Sequence, residues 1–200
     1  MVKLRAKACI ITAAASQIGR MLINLCNMNG IAPICTVRRQ EQVDFLEKEM
    51  KCKFVVNTGK DDYPARLGKL CLQLKPSVVL ESISGKMTGE MCEYLGFGGT
   101  IILYGLLSDE PAGGIDTIGF IGKNLTIESY LLTNDVAKMS LSQFMEFVLR
   151  AEPLYRSVLS TTINARYGLH QVKEAIEFYQ KNQTAGKILL QPELTRKAKL

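Results

Sequence analysis

Six short apolar runs recur along the chain: Ala8 to Thr12, Ile31 to Val37, Phe54 to Asn57, Val78 to Glu81, Thr100 to Tyr104 and Leu125 to Tyr130. Each is rich in β-branched residues and none has a polar face, the pattern of a strand buried on both sides and hence of a parallel sheet. Helical periodicity falls between them, near Gln17 to Asn29, Gln40 to Met50, Tyr63 to Leu74 and Thr88 to Leu95. Strand and helix in strict alternation predict a doubly wound α/β domain with a six-stranded parallel sheet and helices on both faces.

The pattern loosens in the second half. Ser108 to Lys123 is glycine-rich and reads as a loop in place of a fifth helix. Asp135 to Arg150 reads as one long amphipathic helix stopped by Glu152 and Pro153. Val158 to Ala165 then reads as a strand, His170 to Lys181 as a helix with Val172, Ala175, Ile176 and Tyr179 at core spacing, and Lys187 to Leu190 as a last strand. These changes divide the chain into residues 1–150, the dinucleotide-type unit, and residues 151–200, a C-terminal segment.

Composition narrows the function. At 47% hydrophobic and 22% charged the chain is globular, and no apolar run approaches the roughly 20 residues of a bilayer span, so no membrane role is expected. The net charge of +6 comes from Lys3, Arg5, Lys7, Arg196, Lys197 and Lys199 at the two ends, leaving 19 basic against 19 acidic residues between them. A neutral body with basic ends argues against nucleic acid. Six scattered cysteines, with no Cys-x-x-Cys pair and a single histidine, His170, give no metal-ligand spacing; they read as core thiols of a reducing compartment, the cytoplasm or the mitochondrial matrix.

The run "ITAAASQIG" joins the first strand to the first helix, where backbone N–H groups of a dinucleotide fold receive a pyrophosphate. Ala13, Ser16 and Gly19 stand at three-residue spacing where glycines are usual. Alanine and serine substitute there only if they keep φ below zero. The helix that follows has no Asp or Glu, whereas Glu41, Asp61, Asp62, Glu90 and Asp135 stand at or near other helix starts, so its positive end is predicted to be open to an external anion. Arg38 lies 19 residues beyond Gly19, with Arg39 beside it, at the end of the second strand. An acid in that place selects NAD and an arginine accepts the 2′-phosphate of NADP. Tyr104 and Gly105 end the fifth strand at the sheet edge where such ligands lie, and "ESISG" ends the fourth in the same way.

Two families share this turn. Thr12 to Gly19 echoes the opening of short-chain dehydrogenases, but no tyrosine here is followed by lysine four positions on, as their chemistry needs. The segments "TAAASQIGRMLI", "VRRQEQVDFL", "LYGLLS" and above all "YGLHQVKEAIEFYQKNQTAGKILLQP" resemble instead the cofactor half of medium-chain dehydrogenases/reductases, nearest the zinc-free quinone and 2-enoyl thioester reductases.

The resemblance implies a three-layer Rossmann fold with strand order 3-2-1-4-5-6 and NADPH across the strand carboxyl ends. It implies that Ser16, Gln17, Ile18 and Gly19 lie over the pyrophosphate, that Arg38 and Arg39 meet the 2′-phosphate, and that Tyr104, Gly105 and Tyr130 to Leu132, with Leu131 at the centre, line the nicotinamide. It also implies a homodimer through the sixth strand, Leu125 to Leu132. Family members begin with a catalytic domain that supplies proton donors; this chain is expected to lack it, with Val158 to Arg166 and the segment after Gly186 returning to that absent half. The expected activity is hydride transfer from NADPH to a quinone or an α,β-unsaturated carbonyl compound or enoyl thioester. No residue is assigned as catalytic and none as a metal ligand. The alternative is a truncated, non-catalytic homologue serving as a structural or regulatory subunit.

Overall fold

A computed structural model describes residues 6–182 and 184–193. Lys3, Arg5, Arg196, Lys197 and Lys199, the basic ends noted above apart from Lys7, lie outside the described residues. The six apolar runs form one parallel sheet of β1 (Ala8–Ile11), β2 (Ala32–Val37), β3 (Phe54–Asn57), β4 (Val78–Glu81), β5 (Thr100–Leu103) and β6 (Thr126–Ser129), in the order β3-β2-β1-β4-β5-β6. Chain order reverses between β1 and β4. At such a switch point the crevice beyond the strand carboxyl ends is the ligand-binding place of open α/β sheets.

Alternation along the strands feeds two cores. Cys9, Ile11, Cys35, Val37 and Leu80 face one side, under α1 (Gln17–Met28) and α2 (Gln40–Lys48), which contribute Ile23, Leu46 and Val43. Ile10, Ile34, Val56, Val79 and Ile101 face the other, under α3 (Tyr63–Leu74) and α4 (Lys86–Tyr94), which contribute Leu67 and Met91. Ile10, Ile34 and Val79 are wholly buried, each worth about 1.5–3 kcal/mol of transfer free energy.

The second half departs from the sequence reading at several places. The glycine-rich loop contains a short helix, α5 (Thr117–Gly122), nucleated by Asp116, whose carboxylate accepts from Ile118 N at 3.1 Å and Gly119 N at 3.0 Å. The single helix expected over Asp135 to Arg150 is two, α6 (Leu132–Lys138) and α7 (Leu141–Tyr155). Ser140 starts a new helix there, its hydroxyl accepting from Gln143 N while Gln143 Oε1 accepts from Ser140 N. Pro153 does not end α7; with the helix nearly over, it forfeits one hydrogen bond and the chain stays helical to Tyr155.

Beyond α7, β7 (Ile163–Tyr167) begins later than expected, a 3-10 turn over Leu169–Gln171 precedes α8 (Val172–Lys181), and β8 (Lys187–Leu190) pairs parallel with β7 in a separate two-stranded sheet. Asn24 Nδ2 on α1 donates to Val158 O at 3.2 Å, and Arg20 to Thr184 O, tying this segment to the main body.

Candidate functional site

The crevice is built from the turns that leave β1, β4 and β5. The first is held by Thr12 N donating to Leu80 O and Ala14 N to Thr36 O, both at 3.1 Å, which bends the chain between the two neighbouring strands. That bend puts Ala13 at φ +46. The condition that Ala13 keep φ below zero is therefore not met: an alanine sits in the left-handed region, at a cost of about 1–2 kcal/mol. Gly19 has no such freedom to give up, because a Cβ there would lie 2.5 Å from Ala14 O. It is the close packing of helix on turn, not backbone conformation, that demands glycine at 19.

Ser16 keeps φ at −65 and its hydroxyl accepts from Gly19 N at 3.0 Å. The positive end of α1 is thus partly capped from within, so it is less open than its lack of acids suggests. Nor is that lack peculiar to it, since the first turn of α4 also has no acid and begins with Lys86. Gln17 is buried and Ile18 exposed, so the two side chains at the start of α1 point to opposite sides.

Glu81, the last residue of β4, organises the second turn. Its carboxylate is wholly buried and accepts from Thr12 Oγ1 (3.2 Å), Ile83 N (2.6 Å), Ser84 N (2.9 and 3.1 Å) and Thr88 Oγ1 (3.1 Å). Thr12 Oγ1 in turn accepts from Ser82 N at 2.9 Å. This network holds Ser84 at φ +69, a second non-glycine residue in the left-handed region, at the same edge as Ala13. Strain of this kind persists where surrounding contacts over-determine the backbone, and gathers at ligand sites. The sequence reading gave "ESISG" little weight; the signal it held was one acid closing an otherwise apolar strand.

Three buried side-chain polar atoms among the described residues have no hydrogen-bond partner: Gln17 Nε2, Ser82 Oγ and Tyr104 Oη. Ser82 and Tyr104 directly follow β4 and β5, and Gln17 opens the helix that follows β1. Burial pushes the Tyr104 phenol above its usual value; the neighbouring Ser82 hydroxyl opposes this and Glu81 adds to it. The Ser82 hydroxyl neighbours the Tyr104 phenol, yet neither oxygen has a hydrogen-bond partner among the described residues. An orphaned buried polar atom costs about 1–3 kcal/mol, and three at one edge are what a polar ligand would repay. Gly105 has a simpler explanation than ligand approach: a Cβ would lie 2.7 Å from Ser82 O.

The two arginines at the end of β2 have different fates. Arg38 is exposed, and its guanidinium has no partner among the described residues. Arg39 is paired with Glu41 at 2.9 Å and donates to Thr184 Oγ1 at 3.3 Å. Gln42 Oε1 accepts both of their backbone N–H groups. A crevice of about 450 Å³ opens beside Arg39, lined by Ala15, Arg20, Phe45 and Thr184, with the Arg20 guanidinium stacked 4.1 Å over the Phe45 ring. A larger one, about 620 Å³, lies at the opposite end of the sheet between α3 and α4. Tyr130, Leu131 and Leu132 are exposed beyond β6, two strands away from β4.

Of the residues predicted from sequence, Ser16, Gln17, Gly19, Tyr104 and Gly105 thus lie along the ends of β1 and β5, Arg38 and Arg39 along that of β2, and Leu131 along that of β6. No group of three or more His, Cys, Asp or Glu side chains that could hold a metal ion converges among the described residues, so the donor set does not fit zinc. No helix of the described residues is long and apolar enough to cross a membrane.

Comparison with known proteins gives the geometry a context. The chain is 28% identical over 126 residues to the mitochondrial enoyl-[acyl-carrier-protein] reductase of Xenopus tropicalis, 60% of this chain but 35% of that protein. A mycobacterial quinone oxidoreductase superposes with a TM-score of 0.74 at 20% identity, over 93% of this chain and 56% of that one. CurA from Vibrio vulnificus, solved in complex with NADPH, superposes with a TM-score of 0.73 at 17% identity, over 93% and 58%. The chain therefore spans about a third to somewhat over half of the proteins it matches. The family model described as zinc-binding dehydrogenase matches residues 18–150, from the first turn of α1 through most of α7. Since that match takes in well over half of the chain, the protein belongs to the zinc-binding dehydrogenase family, in the medium-chain dehydrogenase/reductase superfamily.

Proposed function

We propose that this chain is an NADPH-binding oxidoreductase domain serving hydride transfer to a quinone or to an α,β-unsaturated carbonyl compound or enoyl thioester. The observation that carries the reading is the three orphaned polar atoms beyond the carboxyl ends of the adjacent strands β1, β4 and β5, with Arg38, whose guanidinium has no partner among the described residues, at the end of the neighbouring strand β2. A ligand with polar groups along its length and a terminal phosphate satisfies both. Gln17, Ser82 and Tyr104 would meet its polar groups, the free N–H groups at the start of α1 its pyrophosphate, and Arg38 its 2′-phosphate.

NADPH bound there supplies the hydride; this chain's residues bind and aim it. Glu81, through Thr12 and Ser84, holds the two turns rigid without touching ligand. No side chain of the crevice is offered as a proton donor, and that task belongs to a partner surface or a further domain. The test is calorimetric titration with NADPH and with NADH. Tight NADPH binding with weaker NADH is expected; no binding of either refutes the reading.

The second reading, a non-catalytic subunit, is favoured by one feature: Ser16, at a position where glycine is usual, caps its own helix by accepting from Gly19 N. Assay with NADPH and simple quinones or enones separates the two. Turnover excludes the subunit role, and silence with retained binding supports it.

Dimerisation through β6 is part of the proposal. Thr126 N and Tyr130 N donate inward to Gly99 O and Leu103 O, so the N–H groups of Ile127 and Ser129 face outward from an edge strand. Ser129→Pro should remove one outward donor, spare the sheet and shift sedimentation from dimer to monomer; an unchanged dimer refutes this interface. Six buried free thiols suit a reducing compartment, cytoplasm or mitochondrial matrix.

A further inference from the structure

Four thiols share the core under α1 and α2: Cys9 on β1, Cys26 on α1, Cys35 on β2 and Cys52 ahead of β3. Two of them touch. The Sγ atoms of Cys9 and Cys26 lie 3.5 Å apart, with the residues 1% and 5% exposed and neither in a disulfide. The contact joins the two elements that carry the nucleotide turn, and the turn is the loop between them.

From this geometry we propose that Cys9 and Cys26 are an oxidation site, forming a disulfide that fastens α1 to β1. Closing the sulfurs from 3.5 Å to a bond of about 2.05 Å requires a shift of roughly 1.5 Å, shared by two side chains already aimed at each other. The oxidant is hydrogen peroxide. Cys26 sulfur attacks the peroxide oxygen, leaving a sulfenic acid and one water; Cys9 sulfur then displaces the hydroxyl, forming the S–S bond and a second water. Two thiols lose two electrons and two protons, and the hydrogen peroxide is reduced.

The pair is set up for this order. The hydrogen bond between the two holds the Cys26 thiol below its usual range, while the same bond and burial push Cys9 up. Cys26 is followed by four exposed residues, Asn27 to Gly30, so the end of α1 is the side from which a water-sized oxidant arrives. The reactive position is the more accessible one.

The experiment treats the full chain with hydrogen peroxide, blocks remaining thiols and maps tryptic peptides without reduction. The expected product is a cross-link between the peptide of Cys9 and that of Cys26, two hydrogens lighter than the sum, reversed by dithiothreitol. Fragment spectra must place the bond at Cys26 rather than Cys35, which shares its peptide. The bond closes a 17-residue separation, so the oxidised chain should melt roughly 5 to 10 °C higher. Cys26→Ser should abolish both changes and Cys52→Ser neither. Recovery of Cys9 and Cys26 as free thiols, a bond to Cys35 or Cys52, or irreversible sulfinic acid at Cys26 overturns the proposal, and the wild-type map alone decides it if Cys26→Ser fails to fold.

Discussion

Removing the Glu81 carboxylate should cost more than any other single polar change in this domain. In Glu81→Ala, Ile83 N, Ser84 N and Thr88 Oγ1 lose their acceptor in a largely buried turn, and the Thr12 hydroxyl, which still accepts from Ser82 N, is left with only Leu80 O at 3.4 Å to donate to. Hydrogen bonds to a charged group are worth about 1.5–3 kcal/mol and an abandoned buried donor costs about 1–3 kcal/mol, with partial relaxation of the Ser82 to Gly85 turn offsetting some of this. A net loss of about 4–6 kcal/mol follows. In a 200-residue chain that lowers the melting temperature by roughly 10–20 °C. Glu81→Gln should be far milder, about 1–2 kcal/mol. Its retained oxygen still serves Ile83 N and Ser84 N, and the Thr88 hydroxyl can turn to accept from the new amide. Urea unfolding of both variants, with Thr88→Val in each background, gives the cycle. If alanine and glutamine cost the same, or if both cost under 1 kcal/mol, the carboxylate does not hold these turns and the account of the crevice fails with it.

Ala13→Gly relieves a left-handed alanine worth about 1–2 kcal/mol but loosens the unfolded chain by about 0.4–1 kcal/mol, so a net gain of about 0.5–1 kcal/mol is expected in urea midpoint at constant slope. Gly19→Ala brings a Cβ to 2.5 Å from backbone Ala14 O and should destabilise by about 2 kcal/mol or more, read by thermal melting. Arg38→Ala should weaken NADPH at least about tenfold, one charge-assisted hydrogen bond, while leaving NADH nearly unchanged by calorimetry. Arg39→Ala, already occupied by Glu41 and Thr184, should have the smaller effect; equal losses for both nucleotides would refute the 2′-phosphate assignment.

The sheet was legible because strands buried on both faces leave no ambiguity of period: "ACII", "VVLE" and "TIIL" each stop within one residue of their expected ends. The second half was harder for identifiable reasons. Four glycines over Gly113 to Gly122 hid α5, whose start was nonetheless marked by Asp116. The break before α7 was written as Ser140 with Gln143 three residues on, a capping pair inside a pattern that otherwise continued helical. At the site, the chain position of Arg38 was enough to suggest its task, but only packing reveals that Arg39 turns to Glu41. The network around Glu81 depends on register, β1 against β4 with Ile11 beside Leu80, which brings Thr12 and Glu81 together across 69 residues.

The turn after β1 distributes among different residues the work that glycines do together in glycine-rich turns. Gly19 keeps the close packing, Ala13 adopts the left-handed bend at a cost, and Ser16 takes one helix N–H for itself. Gln17 returns a donor, Nε2, that is buried and unpartnered. A chain under no demand to bind here would gain stability by pairing or removing that amide and the Ser82 and Tyr104 hydroxyls, each a liability of about 1–3 kcal/mol. Their joint persistence beside two left-handed non-glycine residues argues that the unbound crevice is held at a stability below what this fold could reach. Ligand binding should then return the difference: at a concentration of 100 times Kd, NADPH is expected to stabilise the chain by about 2.7 kcal/mol, roughly 5–10 °C in melting temperature. In Gln17→Leu, which removes the orphan, the unliganded chain should melt higher and the NADPH-induced rise should shrink. A Gln17→Leu variant that loses stability without losing the rise would place Gln17 in the scaffold and not at the ligand.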